Sequence, residues 1–138
     1  MTRETTVRAA AAASPVTFSR IPAASLSTAV PIITRLLPHQ GSIEVQHDQA
    51  GKEHAWHTHP TDETLVILEG KVRFYHEAGE RICEPGDVIH LPAEVRHGSV
   101  ALDGGAVYLI AMQAHSPEAL AAAVTADRAH GEPIHVDA

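Results

Sequence analysis

The stretch Gly51-Lys-Glu-His-Ala-Trp-His57-Thr-His59-Pro-Thr-Asp-Glu63 decides the fold and the chemistry of this chain. In a β-strand alternate side chains share a face, so His57 and His59 project together with Cα atoms about 7 Å apart, and Thr58 points the other way. Imidazoles at that spacing can converge on one ion, and Pro60 with Asp62 supplies a turn able to bring Glu63 back toward the same centre. A distant His97, beyond Gly86 and Pro92, closes the set. Each of these groups offers a lone pair at neutral pH. Together they hold a divalent ion and leave one or two positions open for water or substrate. His57, His59, Glu63 and His97 are therefore the candidate metal ligands, and Glu63 is also the candidate catalytic residue.

Outward from this stretch the pattern is one of short strands. Ser42-Ile-Glu-Val-Gln-His47 alternates like a half-buried strand, and Glu63-Thr-Leu-Val-Ile-Leu68 is a nearly continuous apolar one. Gly70 is expected to turn that strand into Val72–His76, and Ala78-Gly79-Glu80 to form the next hairpin turn. Pro85-Gly86-Asp87 marks a tight turn before Val88–Leu91, and Pro92-Ala-Glu94 a loop before the strand that His97 begins. Asp103-Gly104-Gly105 is expected to turn that strand into Ala106–Met112. Upstream, Val16–Ile21 and Val30–Leu37 are β-branched runs between prolines, which suggests edge strands.

The period changes after residue 115. Ser116 can cap a helix, Pro117 suits its first position, Glu118 suits its first turn, and Gly131 can stop it. Leu120 and Val124 share one face of that helix and are expected to pack on the sheet or on a neighbouring subunit. The boundaries that follow are a flexible arm over 1–14, an antiparallel β-barrel over 15–115, and a helix with a tail over 116–138.

With 138 residues the chain suits one domain with a real core, and with 4% aromatics that core is mostly aliphatic. A formal net charge of −7, with its ten Lys and Arg scattered singly, argues against a nucleic-acid partner. No Leu/Ile/Val-rich segment is long enough to suggest a membrane span or a signal peptide. Cys83 is the single cysteine, which excludes an intrachain disulfide and suits a reducing, cytoplasmic setting.

These features resemble the cupin superfamily, whose first motif is Gly, five residues, His-X-His, three or four residues, Glu, six residues and Gly. Gly51, His57, His59, Glu63 and Gly70 meet it at every position. The second motif is matched by Gly86, Pro92 and His97, whereas Glu94 and Ala101 replace its second Gly and its Asn. The resemblance covers about Ser42 to Met112. It implies an all-β, cupin-type antiparallel barrel of the jelly-roll kind with a C-terminal helix, a single cupin copy and a homodimer. It also implies one divalent metal ion, whether zinc, iron, nickel or manganese, and a small-molecule substrate.

Cupins include isomerases, cyclases, lyases, dioxygenases and non-catalytic binders. Redox-neutral Lewis-acid chemistry on a small organic molecule is the leading expectation, dioxygenation the second, and a small-molecule-binding or sensor module the third. His54 and His90 flank the motifs, and a surface or interface role is the favoured reading of either, with hydrogen-bond partner or proton shuttle as the alternative. Alternation places Leu65, Ile67, Ser99 and Ala101 inward, with Val72, Phe74, Leu109 and Met112 as further candidate pocket walls, although core packing is the favoured role for these four. Trp56 and Arg96 are expected to face away from the site. His39, His115, His130 and His135 are expected to be solvated.

Overall fold

The computed structural model describes residues 15–21 and 29–124. The expected arm over 1–14 and the tail after 124 lie outside the described residues. Seven strands are present: β1 (Thr17–Arg20), β2 (Glu44–Asp48), β3 (Glu53–His57), β4 (Glu63–His76), β5 (Gly79–Cys83), β6 (Asp87–Leu91) and β7 (His97–Ala111). All their pairings are antiparallel. Helix α1 spans Ala29–Leu36, and a second helix begins at Pro117 and is described to 124.

Two long strands organise the sheet. β4 and β7 pair along their whole length, from Thr64↔Ala111 to His76↔His97, with register shifts between Ile67 and Glu69 and between Gly70 and Val72. Gly70 and the Asp103-Gly104-Gly105 segment are therefore not hairpin turns, contrary to expectation. They bend two continuous strands, because a glycine at positive φ lets a strand kink without losing its partner. On one side of the bend lies the layer β1-β6-β4-β7-β2, and on the other β5 and β3 flank the remaining halves of β4 and β7.

The alternation along β4, β6 and β7 feeds two cores. Val66, Leu68, Val88, Leu109 and Ala111 pack outward against Ile32 and Leu36 of α1 and against Leu120 and Val124 of the C-terminal helix. Ile67, Ile89, Leu91 and Tyr108 face inward, where they meet Val72, Phe74, Cys83 and Ala101 from the other layer. Burial on both faces explains why Glu63–Leu68 reads as a continuous apolar run. Leu120 and Val124 are fully buried, a contribution of roughly 1.5–3 kcal/mol each. The C-terminal helix starts as expected, with the Ala119 amide donating to Ser116 Oγ at 3.0 Å.

The expected strand over Val30–Leu37 is instead α1. Ala29, Ile32 and Leu36 are buried at helical spacing. Pro31 lies in the first turn, where its missing N–H costs nothing. Cys83 is buried, and burial together with the nearby Asp87 pushes its thiol up to about 12, so it acts as a core residue. No helix among the described residues is long and apolar enough to cross a membrane.

Candidate metal centre

His57 ends β3, Glu63 begins β4 and His97 begins β7, so three strand termini deliver side chains to one mouth of the barrel. His57 and His97 are register partners across β3 and β7. His59 lies beyond the end of β3, not on the strand as expected, yet its ring still joins the others. Ring centroids are 4.3 Å apart for His57 and His97, 4.8 Å for His59 and His97, and 5.1 Å for His57 and His59. One ligand nitrogen from each of the three lies within 4.8 Å of the other two.

Backbone carbonyls orient two of these rings. His57 Nδ1 lies 2.6 Å from the Ala55 carbonyl oxygen and His97 Nδ1 lies 2.9 Å from that of Val95. A carbonyl only accepts, so each Nδ1 carries the proton and each Nε2 keeps its lone pair, as metal-binding imidazoles require. Phe74 stacks on His97 with an interplanar angle of 15°. Burial, reinforced by the two neighbouring histidines and only partly offset by the bond to Val95, pushes His97 down to about 4. Burial likewise lowers His59. Three imidazoles whose ligand nitrogens converge, with His97 buried among them, would repel one another if protonated and fit a divalent cation by their own chemistry.

Glu63 is buried and its Oε2 stands 3.3 Å from His59 Nε2. Burial, and then the charge of Glu44, hold its carboxyl up at about 7. The loop before His97 is tied to the first motif by two hydrogen bonds: the Glu94 amide donates to the His59 carbonyl at 2.8 Å, and the Ala93 amide to Asp62 Oδ1 at 2.8 Å. Glu94, which stands where the second motif has glycine, keeps the left-handed conformation at φ 65°. That conformation costs an L-residue about 1–2 kcal/mol. Part of the gain from glycine is lost to its greater unfolded-state freedom. Glu94→Gly is therefore expected to raise stability by about 0.5–1 kcal/mol, measured as a higher urea midpoint with an unchanged slope.

Behind the triad lies a cavity of about 210 Å³. Leu65, Ile67, Val72, Phe74, Ile89 and Ile110 form its apolar wall, and Glu44, Gln46, His54, Ser99 and Tyr108 its polar one. Leu65, Ile67 and Ser99 thus occupy the places expected of them, and Val72 and Phe74 both pack in the inner core, as favoured, and line the cavity. Leu109 packs on the outer core, because β7 alternates and its inward residues there are Tyr108 and Ile110, and Met112, beyond the end of β7, is half exposed. Glu44, Gln46 and Tyr108 were not anticipated. Glu44 and Gln46 have the two-residue spacing that places them on one face of β2.

The remaining histidines separate clearly. His54 lines the cavity, whereas His90 contacts Ser19 Oγ at 2.7 Å on the β1–β6 side. His47 and His39 are exposed, and His76 packs between Phe18 and Phe74. His115 is half-buried with its pKa lowered by burial, and so is not the solvated residue expected. His130 and His135 lie outside the described residues. Trp56 and Arg96 do not line the cavity, in keeping with the expectation that they face away, with the guanidinium 4.7 Å and the Tyr75 ring centroid 4.8 Å from the indole centroid.

The protein-family model for the cupin domain matches residues 44–112. No curated protein matches the chain. Among solved structures, a protein of unknown function from Rhizobium leguminosarum is 18% identical, with 53% of this chain and 69% of that one covered at a TM-score of 0.49. A cupin-2 domain containing protein from Shewanella frigidimarina is 21% identical, with 51% and 69% covered at a TM-score of 0.45. The DMSP lyase DddQ from Ruegeria pomeroyi is 29% identical, with 49% of this chain but only 35% of that one covered at a TM-score of 0.47. The match of the family model over half the chain, with both histidine motifs inside it, makes this chain a member of the cupin family built around a single small cupin domain.

Proposed function

We propose that the chain is a metal-dependent enzyme that acts on a small organic molecule without net redox change, by isomerisation, cyclisation, rearrangement or elimination. The observation that supports it is the triad His57, His59 and His97, its ligand nitrogens within 4.8 Å of one another at the mouth of a largely apolar cavity. Glu63 is the proposed fourth ligand, since its carboxylate borders His59 and a cation is what would keep a buried carboxylate ionised. A divalent ion there supplies a Lewis acid for a carbonyl or enol oxygen. Leu65, Ile67 and Phe74 exclude water and fit the carbon skeleton, and the polar wall of β2 and β3 offers groups that hold or move protons.

Protein purified without added metal is expected to carry about one equivalent of a divalent transition metal by elemental analysis. Turnover of a panel of small carbonyl compounds is expected to proceed equally with and without oxygen. Oxygen uptake in step with product would replace this reading by dioxygenation. Tight binding of a compound with no conversion would replace it by a sensor.

A further inference from the structure

We propose that His54, oriented by Asp48, is the base that removes a proton from the small molecule in the cavity, which makes the substrate a carbonyl compound with an acidic C–H beside the carbonyl. This rests on the function proposed above and names a residue and a substrate class for it. Asp48 is 4% exposed and ends β2. Its Oδ2 lies 2.9 Å from His54 Nε2 and accepts the Tyr108 hydroxyl at 2.7 Å, while its Oδ1 accepts from Gln46 Nε2 at 2.8 Å. Burial alone would raise the Asp48 pKa, but the hydrogen bonds from Gln46, Tyr108 and His54 outweigh it and hold the group ionised.

An ionised carboxylate only accepts, so the proton on His54 sits on Nε2 and the lone pair is on Nδ1. No side chain or carbonyl among the described residues engages that nitrogen, and the ring lines the cavity. The Tyr75 hydroxyl donates to Glu53 at 3.0 Å and lies 3.3 Å from the His54 carbonyl, which ties the backbone at His54 to β4. The other titratable groups facing the cavity are less suited. His57, His97 and Glu63 are candidate ligands, Tyr108 is held protonated by burial and Asp48, and Glu44 is exposed with no orienting partner among the described residues. A base within reach, held in one tautomer by a buried carboxylate, is the arrangement proton abstraction needs.

In the step itself the C–H bond breaks and its proton passes to His54 Nδ1. The electron pair forms a new C=C bond while the carbonyl π pair moves onto oxygen. His54 becomes an imidazolium whose Nε2–H remains on Asp48, and for a β,γ-unsaturated carbonyl compound returning the proton to the γ-carbon restores the carbonyl, shifts the C=C into conjugation and completes an isomerisation. Asp48 is a positioning residue in this scheme.

The test uses the full chain loaded with zinc and needs no substrate. Nitrogen-15 NMR of the histidines is expected to show His54 with Nε2 protonated and Nδ1 bare, and this tautomer is expected to be lost in Asp48→Asn. Bromoacetone, a small α-haloketone, is expected to alkylate His54 in preference to the triad, and about tenfold more slowly in Asp48→Asn, as read by peptide mass spectrometry. A His54 protonated at Nδ1, or one no more reactive than exposed His39, overturns the proposal. Zinc content measured on the same sample separates the two readings. Zinc bound with an inert His54 sinks this inference alone, and a reactive His54 in a protein that takes no metal sinks the metal centre alone.

Discussion

Replacement of His97 by alanine is expected to leave a folded chain that no longer retains a metal. His97 is 6% exposed, stacks on Phe74 and is neutral over the physiological range because burial depresses its pKa to about 4. Its loss removes one of three converging lone pairs. Changing even the groups that orient metal ligands costs about 10–100-fold in affinity, so losing a ligand is expected to cost at least about 100-fold, or roughly 2.7 kcal/mol. Zinc affinity from a competition titration with a chromophoric chelator measures this directly. The void beside Phe74 is expected to cost the metal-free protein about 1–2 kcal/mol, and the metal-free melting curve separates that packing loss from the binding loss. Glu63→Gln serves as the companion variant. A fall of about tenfold or more places Glu63 in the ligand set, and unchanged affinity removes it.

His57, His59 and His97 were legible because two-residue spacing and paired glycine-bounded motifs are local signals, and the chain needs only one fold to bring them together. The route by which His59 arrives was not legible. Strand geometry places His57 and His59 on one face, but β3 ends at His57 and the loop delivers His59 from outside the strand. Gly70 and Gly105 illustrate a second limit, since a glycine that ends a strand and one that bends it look alike until the partner strand is known. α1 shows a third. Val30, Ile32 and Ile33 carry a strand preference, and the burial of Ala29, Ile32 and Leu36 against the outer face overrides it. The polar wall formed by Glu44, Gln46 and Tyr108 depends on where β2 pairs with β7, a register no local pattern specifies.

The bend in β4 is where the largest loss of stability is expected. Gly70, the glycine that closes the first motif, has φ +74°, and a Cβ built on it would collide with the Gly105 carbonyl oxygen and stand 2.9 Å from Ala106 Cα. Both are backbone atoms of β7 and cannot rotate aside. Gly70→Ala therefore adds the left-handed penalty of about 1–2 kcal/mol to an overpacking cost of about 1–3 kcal/mol. The sum is a large share of the roughly 5–15 kcal/mol that holds a domain together. The consequence reaches the metal centre, because Glu63 stands at the start of the half of β4 before the bend while His97 pairs with His76 in the half after it. Spreading the strands at Gly70 changes the position of Glu63 relative to His97, two of the candidate ligands. Gly70→Ala is expected to lower the melting midpoint by about 10 °C or more and to weaken zinc binding with it. Gly51→Ala is the matched control, since Gly51 also has positive φ, +86°, but has nothing within 4 Å of its would-be Cβ. It is expected to pay only the conformational cost, about 0.5–1 kcal/mol once the reduced freedom of the unfolded chain offsets part of it. Equal destabilisation of the two variants would mean that β4 and β7 do not cross as closely at Gly70 as this geometry requires.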